Sequence, residues 1–194
     1  TVNGDLETRT SEFNGEVTSY SWNSSGRLTG LERTSSQGIL LSDVSYFYDP
    51  FGRRIERRVD GQQFFYSYDR QTLLEESTSD GLATARYVYS GLDVPLWKVD
   101  LQGDVTFYVL DGDGNVGGLV DSDGNVVERY SYDTFGNRTE LLGAGLNQPL
   151  GLHGRPLDPE TGLYNFRARA YHPHLGRFLQ RDPAGAWFDP LNLG

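Results

Sequence analysis

Residues 46–59, YFYDPFGRRIERRV, decide the fold, and close copies occur at 20–32 (YSWNSSGRLTGLE) and 130–142 (YSYDTFGNRTELL). Each copy has two aromatic residues two positions apart, then a polar residue, a Gly and a segment of mixed polarity. Side chains two positions apart on a strand share a face, so each pair directs two rings to one side of a sheet. The polar residue and the Gly are typical of a tight turn. The unit therefore predicts a β-hairpin of about 20 residues.

The aromatic pair recurs along most of the chain. Six such pairs, or close variants, follow one another at intervals of 20 to 26 residues: Tyr20/Trp22, Tyr46/Tyr48, Tyr66/Tyr68, Tyr87/Tyr89, Tyr108/Leu110 and Tyr130/Tyr132. An Asp follows the pair in four of them: Asp49, Asp69, Asp111 and Asp133. A lone hairpin is marginal in water, so we expect the hairpins to stack edge to edge, with their rings as cross-strand neighbours. The pattern predicts an all-β fold of stacked hairpins over residues 1–142.

Composition excludes several classes of protein. The chain has 194 residues, no Cys and a formal net charge of −10. The lack of Cys excludes a disulfide scaffold, a thiolate metal site and a Cys nucleophile. The acid excess argues against a nucleic-acid partner, and no apolar run reaches the roughly 18 residues of a membrane span. Because the chain starts at Thr1 and contains no Met, we expect it to be a piece of a longer protein.

Three stretches near the C-terminus carry a more specific signal: DPETGLY at 158–164, RARAY at 167–171 and GRFLQRDPAG at 176–185. They resemble the core signature of RHS (rearrangement hot spot) proteins. The hairpin units resemble the YD (tyrosine-aspartate) repeats of RHS proteins, of the C components of bacterial ABC toxins and of teneurins. The resemblance implies that residues 1–142 form about six repeats of a spiralling sheet in a hollow shell. Residues 143–194 then form the start of a core, or plug, domain.

The resemblance also implies a function. The chain is expected to be a structural shell segment of a secreted or cell-surface bacterial protein that encloses or displays a C-terminal toxin or effector. Its partners would be the remainder of its own polypeptide and that passenger, with self-association left open, and no cofactor is implied. Two alternatives stay open, which are a self-cleaving core and an adhesion or filament module.

Many core domains of this kind are aspartyl self-proteases, which need one charged and one protonated carboxyl group to activate a water molecule. The resemblance places the first carboxyl at Asp182, with Arg181 and, more weakly, Arg177 as supporting charges. The second is expected roughly twenty residues further on, beyond Gly194. Asp189 follows too soon and lacks the Gly of the motif, so we do not accept it as the partner, and this piece alone is not expected to cleave. In the alternative interpretation, Asp182 is a turn residue before a Pro and Arg177 belongs to a recurrent Gly-Arg pair.

Two short segments resemble the start of a calcium loop. Asp111 and Asp113, and ten residues later Asp121 and Asp123, place carboxylates on alternate residues. The twelfth position counted from Asp111 is Ser122, where a calcium loop needs Glu, so we expect hairpin turns there instead.

Two features of the C-terminal part remain open to interpretation. His172 and His174 could approach a metal, but with His153 they are more typical of surface or turn positions. Residues 163–172 fit a strand or a short helix, and we expect a strand.

Overall fold

Thirteen antiparallel strands form one sheet, and their order in the sheet is their order in the chain. The computed structural model describes residues 4–143, 145 and 148–183. The strands are β1 (Thr8–Thr10), β2 (Val17–Trp22), β3 (Leu28–Thr34), β4 (Leu40–Tyr48), β5 (Arg54–Val59), β6 (Gln62–Asp69), β7 (Thr72–Thr78), β8 (Ala83–Gly91), β9 (Val94–Asp100), β10 (Val105–Leu110), β11 (Val116–Val120), β12 (Val126–Tyr132) and β13 (Arg138–Leu142). The predicted all-β fold of stacked hairpins is confirmed.

A smaller antiparallel sheet follows in the C-terminal part. Its strands are β14 (Leu157–Asp158), β15 (Leu163–Phe166), β16 (Arg169–His172) and β17 (Arg177–Phe178). Short 3-10 turns lie at Leu152–Gly154 and Pro173–Leu175. The expected strand over residues 163–172 is confirmed as two strands, because Arg167 has a φ of +60° and turns the chain between them. No helix in the described part of the chain is long and apolar enough to cross a membrane.

The first aromatic residue of each pair lies on the inner face, opposite a residue of its own hairpin. Tyr46 pairs with Arg57, for example, and Tyr66 with Glu76. The expected ladder of rings as cross-strand neighbours is therefore wrong. Each unit contributes two strands, so equivalent rings stand two strands, or roughly 10 Å, apart.

The second aromatic residue connects consecutive hairpins. In five of the six pairs the strand register shifts immediately before it, as a β-bulge. In four of the six pairs, the polar side-chain atom of this residue donates a hydrogen bond to a backbone carbonyl of the preceding unit. The bonds run from Trp22 to Leu6, from Tyr48 to Leu28, from Tyr68 to Arg54 and from Tyr132 to Val116, at 2.7–2.8 Å.

The polar residue after the pair closes the turn in most units. In the turn after β10, one carboxylate oxygen of Asp111 accepts the backbone N–H groups of Asp113 and Asn115, both at 2.9 Å. Asp49 and Asp133 accept backbone N–H groups in the same way. Asp69 differs from this prediction. It pairs with Thr72 across a two-residue turn.

Candidate functional site

The inner face of the sheet carries charged residues between its tyrosines. Arg57, Glu76 and Lys98 lie on β5, β7 and β9, each opposite the first tyrosine of its hairpin, and all three are buried. Burial raises the pKa of Glu76 and lowers the pKa of Lys98. Buried charges are costly unless they are paired. Other strands supply part of this pairing, because Glu76 lies near Arg54, Arg57 and the Tyr87 hydroxyl, and Lys98 lies near Glu128.

Asp158 supplies the principal partner from the C-terminal part. One of its carboxylate oxygens accepts hydrogen bonds from Arg54 Nη1 at 2.6 Å and from the Tyr46 hydroxyl at 3.0 Å. Its other oxygen lies 3.5 Å from Arg57 Nη1, which also donates to Glu160 at 2.6 Å. The side chains of Asp158 and Arg54 are each only 5% exposed. We call these five residues the Asp158 cluster.

The cluster changes the titration of its members. Although burial opposes the charged form of Arg54, Asp158 holds its pKa well above the usual value. Burial, with Asp158 beside it, raises the pKa of Tyr46. The cluster is therefore a fixed set of charges and donors that joins β4 and β5 to the C-terminal part.

The local sequence explains where Asp158 points. Residues 158–162 form a tight turn after β14, in which the Asp158 carbonyl accepts the N–H groups of Thr161 and Gly162. Gly162 has a φ of +68°, which suits glycine. Asp158 belongs to the DPETGLY stretch of the signature, for which the resemblance implies no role of this residue. No local signal in the sequence could have found this contact, because an inward-facing Arg57 has the same alternation pattern as a solvent-facing arginine.

The C-terminal part also packs on the turns that follow the aromatic pairs. Asp93, in the turn after β8, accepts Arg155 Nη2 at 2.9 Å and Arg167 Nη2 at 2.7 Å. At Gly154 a Cβ would lie 2.1 Å from the Asp93 carbonyl oxygen, so only glycine fits this contact. The turn after β12 is covered as well, because Tyr171 donates to the Phe135 carbonyl at 2.9 Å. The C-terminal part thus covers two of the turns at this end of the sheet.

A cavity of about 300 Å³ lies beside the Asp158 cluster. Its walls include residues of β5–β7 and of β12–β13, strands that are far apart in the sheet order, together with residues between 145 and 159. The sheet therefore curls so that distant strands face each other. Six charged side chains besides Asp158 line the cavity: Arg54, Arg57, Glu76, Glu128, Arg138 and Glu140.

Comparison with known proteins gives this architecture a family. The model of the Teneurin YD-shell family matches residues 3–192. The chain belongs to the Teneurin YD-shell family. The predicted resemblance to RHS/YD-repeat proteins is thus confirmed.

Relatives of this YD-shell chain are much longer proteins. It is 33% identical over 168 residues to the tRNA3(Ser)-specific nuclease WapA of Bacillus spizizenii, which covers 84% of the chain and 7% of the relative. It is 25% identical over 199 residues to the toxin subunit YenC1 of Yersinia entomophaga, 89% of the chain and 20% of the relative. The crystal structure of TcdB2-TccC3-TEV superposes with a TM-score of 0.60 at 20% identity, covering 88% of this chain and 9% of that one, which shows the fold.

Asp182, the carboxyl expected to act in self-cleavage, lies at the surface of this YD-shell segment with its side chain 42% exposed. Arg169 Nη2 lies 3.1 Å from its carboxylate, and the Arg169 guanidinium stacks 3.6 Å from the Phe178 ring centroid. Of the expected supporting charges, Arg177 donates to the neighbouring Phe178 carbonyl at 3.3 Å, and Arg181 packs along Gly4. The resemblance implied no role for Arg169, but the structure brings it to Asp182. Asp189 lies outside the described residues.

The four aspartates of the calcium-like segments lie in hairpin turns. Asp121 accepts the backbone N–H groups of Asp123 and Asn125. The Asn125 side chain, with these backbone groups, lowers the pKa of Asp121. In residues 4–143, 145 and 148–183 there is no group of three or more His, Asp or Glu side chains that could hold a metal ion. The carboxylates of Asp111 and Asp121 thus accept the backbone hydrogen bonds of the hairpin turns that were expected there.

The three histidines differ in their surroundings. His153 and His174 are exposed and lie in the two 3-10 turns, as expected. The expectation is wrong for His172, which is 4% exposed on β16. Its Nε2 atom lies 3.4 Å from Arg9 Nη1 on β1, and burial, with Arg9 and His174 nearby, lowers its pKa to about 4. His172 therefore belongs to the contact between the C-terminal part and the first strand.

Proposed function

We propose that this chain is the last arc of a YD shell, over residues 1–142, together with the start of the plug that closes it, over residues 143–194. The observation that carries the proposal is the Asp158 cluster, which fastens the C-terminal part to the inner face of the sheet through Arg54 and Arg57 at 2.6 and 3.5 Å. A plug held by buried charge pairs is fixed in one orientation, because such pairs are directional.

The purpose of such a closed shell is to enclose or display a passenger that follows it in the polypeptide. The chain spans 7% of the WapA relative and 20% of YenC1, so most of each relative lies outside the matched part. The partners we propose are the remainder of the same polypeptide and this passenger. The names of two relatives, a toxin subunit and a salivary gland surface protein of Aedes aegypti, support a place outside the cell.

The proposal is tested on the full-length protein that contains this chain. We expect negative-stain electron microscopy to show a hollow particle, and limited proteolysis to spare the passenger. Asp158→Asn should expose the passenger to protease, whereas Glu75→Gln, at a surface ion pair with Arg86, should not. A solid particle would refute the proposal. So would a passenger that protease cleaves as fast in the unaltered protein as in the Asp158→Asn variant.

We propose self-cleavage as a second function of the longer protein. It is supported by the exposed carboxylate of Asp182, which Arg169 holds at 3.1 Å. A protein extended through the next Asp-Pro-x-Gly motif should separate into two bands on a denaturing gel, and Asp182→Asn should keep it intact. If the extended protein and the variant both stay whole, this second proposal fails while the shell proposal stands.

A further inference from the structure

The outer face of the sheet, opposite the first tyrosines, changes its chemistry at β8. Over β4–β7 it carries charged residues between its apolar ones, and Arg58, for example, pairs with Glu56 at 2.6 Å. Over β8–β12 one row of directly paired residues is apolar throughout. We call this row the outer stripe, and its members are Val88, Trp97, Phe107, Val120 and Val126.

The outer stripe is open to solvent. Phe107 and Val126 are 41% and 54% exposed, and the other three members are half-buried. Val109, two residues after Phe107 on the same face of β10, is a further exposed apolar residue beside the row. Contiguous exposed apolar surface on a folded protein is typical of an interaction site.

Acidic turns border the outer stripe on one side. The turn between β9 and β10 carries Asp100 and Asp104, and the turn between β11 and β12 carries Asp121 and Asp123. Every member except Val88 lies within three residues of one of these aspartates, which is about 10 Å along a strand. The outer stripe therefore has an anionic margin.

The opposite side of the outer stripe differs. There Arg129 lies opposite Gly118 in the next row of the outer face. A second copy of the chain would bring the four aspartates either against the same four or against Arg129 alone. A partner with several lysines or arginines beside its apolar residues complements the anionic margin in full.

The spacing of the outer stripe suits a helix. Neighbouring strands lie about 4.8 Å apart, so the row of five is about 19 Å long. An α-helix advances about 5.4 Å per turn, which places one turn over each strand, and roughly 13 helical residues span the row. An extended segment places its same-face side chains about 6.8 Å apart and matches the row less well.

We propose that the outer stripe docks an amphipathic helix of a partner polypeptide. The apolar side of this helix covers Trp97, Phe107 and Val120, and its basic flank faces the aspartates of the two turns. The partner is thus identified by its chemistry, as a short helix with an apolar side and lysine or arginine residues along one flank.

The test uses the full-length protein that contains this chain and a fluorescein-labelled peptide of roughly 14 residues, in which Leu and Lys follow helical periodicity. Fluorescence anisotropy at physiological ionic strength measures its binding. The control peptide has Glu in place of every Lys. We expect saturable binding of the lysine peptide, about tenfold tighter than that of the glutamate peptide. No saturable binding of the lysine peptide, or equal affinity for both, would overturn the proposal.

Two phenylalanines provide matched variants that locate the binding. Phe107→Thr removes an apolar side chain from the outer stripe, and it should weaken binding of the lysine peptide about tenfold. Phe47→Thr is the control, because Phe47 is 39% exposed on the outer face of β4, outside the outer stripe. Threonine suits both exposed strand positions, so both variants should fold, as urea unfolding will show. Equal effects of the two variants on binding would overturn the proposal.

A second pair of variants tests the anionic margin. Asp104→Asn together with Asp123→Asn removes two exposed charges beside the outer stripe, and it should weaken binding of the lysine peptide about threefold. The control is Glu12→Gln together with Glu140→Gln, which removes two exposed charges elsewhere and should leave binding unchanged. An equal loss in both double variants would show attraction to the net charge alone and would contradict the proposed site.

Light scattering with size-exclusion chromatography distinguishes a second copy from a partner helix. We expect the unaltered protein and Phe107→Thr to have the same mass. A dimer of the unaltered protein that Phe107→Thr converts to a monomer would show that a second copy covers the outer stripe, and it would overturn the proposal.

Discussion

Strands β2–β4 and strands β5–β7 have the same hairpin pairing, but the first group places apolar residues on the inner face and the second places charged residues there. In the first group Tyr20 lies opposite Leu31, which in turn pairs with Val44. In the second group Tyr66 lies opposite Glu76, and Arg57 pairs with Phe64. The C-terminal part meets the first group with the apolar Leu163 and Leu179. Asp158 pairs with Arg54 of the second group and also accepts the Tyr46 hydroxyl on β4, at the boundary between the groups.

The difference separates what the repeat determines from what it leaves free. The aromatic pair and the turn fix the backbone register, since the bulge and the bond to the preceding carbonyl recur with either chemistry. The residue opposite the first tyrosine varies with what packs on it. Apolar contacts tolerate small shifts, whereas buried charges require a partner at one position. The stability of the charged strands β5–β7 should therefore depend more strongly on a single residue of the C-terminal part than the stability of β2–β4 does.

The largest expected effect is at Asp158. Asp158→Asn removes the charge that compensates Arg54 and Arg57, and breaking such a buried pair costs about 3–5 kcal/mol. We expect urea unfolding of the chain to show a loss of that size.

A surface pair of the same chemistry is the control. Asp182, 42% exposed, pairs with Arg169 at 3.1 Å, and Asp182→Asn should cost less than about 1 kcal/mol. Equal losses of unfolding free energy in the two variants would show that the importance of Asp158 does not come from the burial of its ion pairs.

Sequence reasoning predicted the sheet well because its signals are local. Tyr46, Tyr48 and Asp49 lie within one hairpin. The spacing of the two tyrosines predicts the face that they share, and the Asp predicts the turn that follows. The Asp158 cluster could not be predicted in this way, since Asp158 lies 104 residues from Arg54 in the chain. The periodicity of a single strand gives no information about a contact between residues so far apart in the chain. An inward arginine on a strand also has the same alternation pattern as a solvent-facing one.

The contact with the first strand should depend on pH. Burial, with Arg9 and His174 nearby, lowers the pKa of His172 to about 4, against roughly 6.5 in an unfolded chain. Between these values the unfolded chain binds a proton that the folded one does not, so stability is present above about pH 6.5 and falls toward pH 4, by at most about 1.4 kcal/mol per pH unit. The measurement is the free energy of unfolding across this range, compared with His172→Gln. The free energy of unfolding of His172→Gln should change less steeply with pH than that of the unaltered chain, because the carboxylates contribute equally to both proteins. Parallel slopes would show that His172 is not the source of the pH dependence.

The smallest expected loss of stability concerns the hydrogen bond between consecutive hairpins, which occurs in both groups of strands. The Tyr48 hydroxyl donates to the Leu28 carbonyl at 2.7 Å, and burial raises its pKa to about 12. Tyr48→Phe leaves that carbonyl without the donor and should cost about 1 kcal/mol in urea unfolding. Tyr171→Phe is the matched control, because its hydroxyl bonds the Phe135 carbonyl at an exposed position, where water replaces the lost donor. We expect a loss within about 0.5 kcal/mol there. If Tyr48→Phe were as mild as this control, the second aromatic residue would act through ring packing alone, and the tie between hairpins would not depend on its hydroxyl.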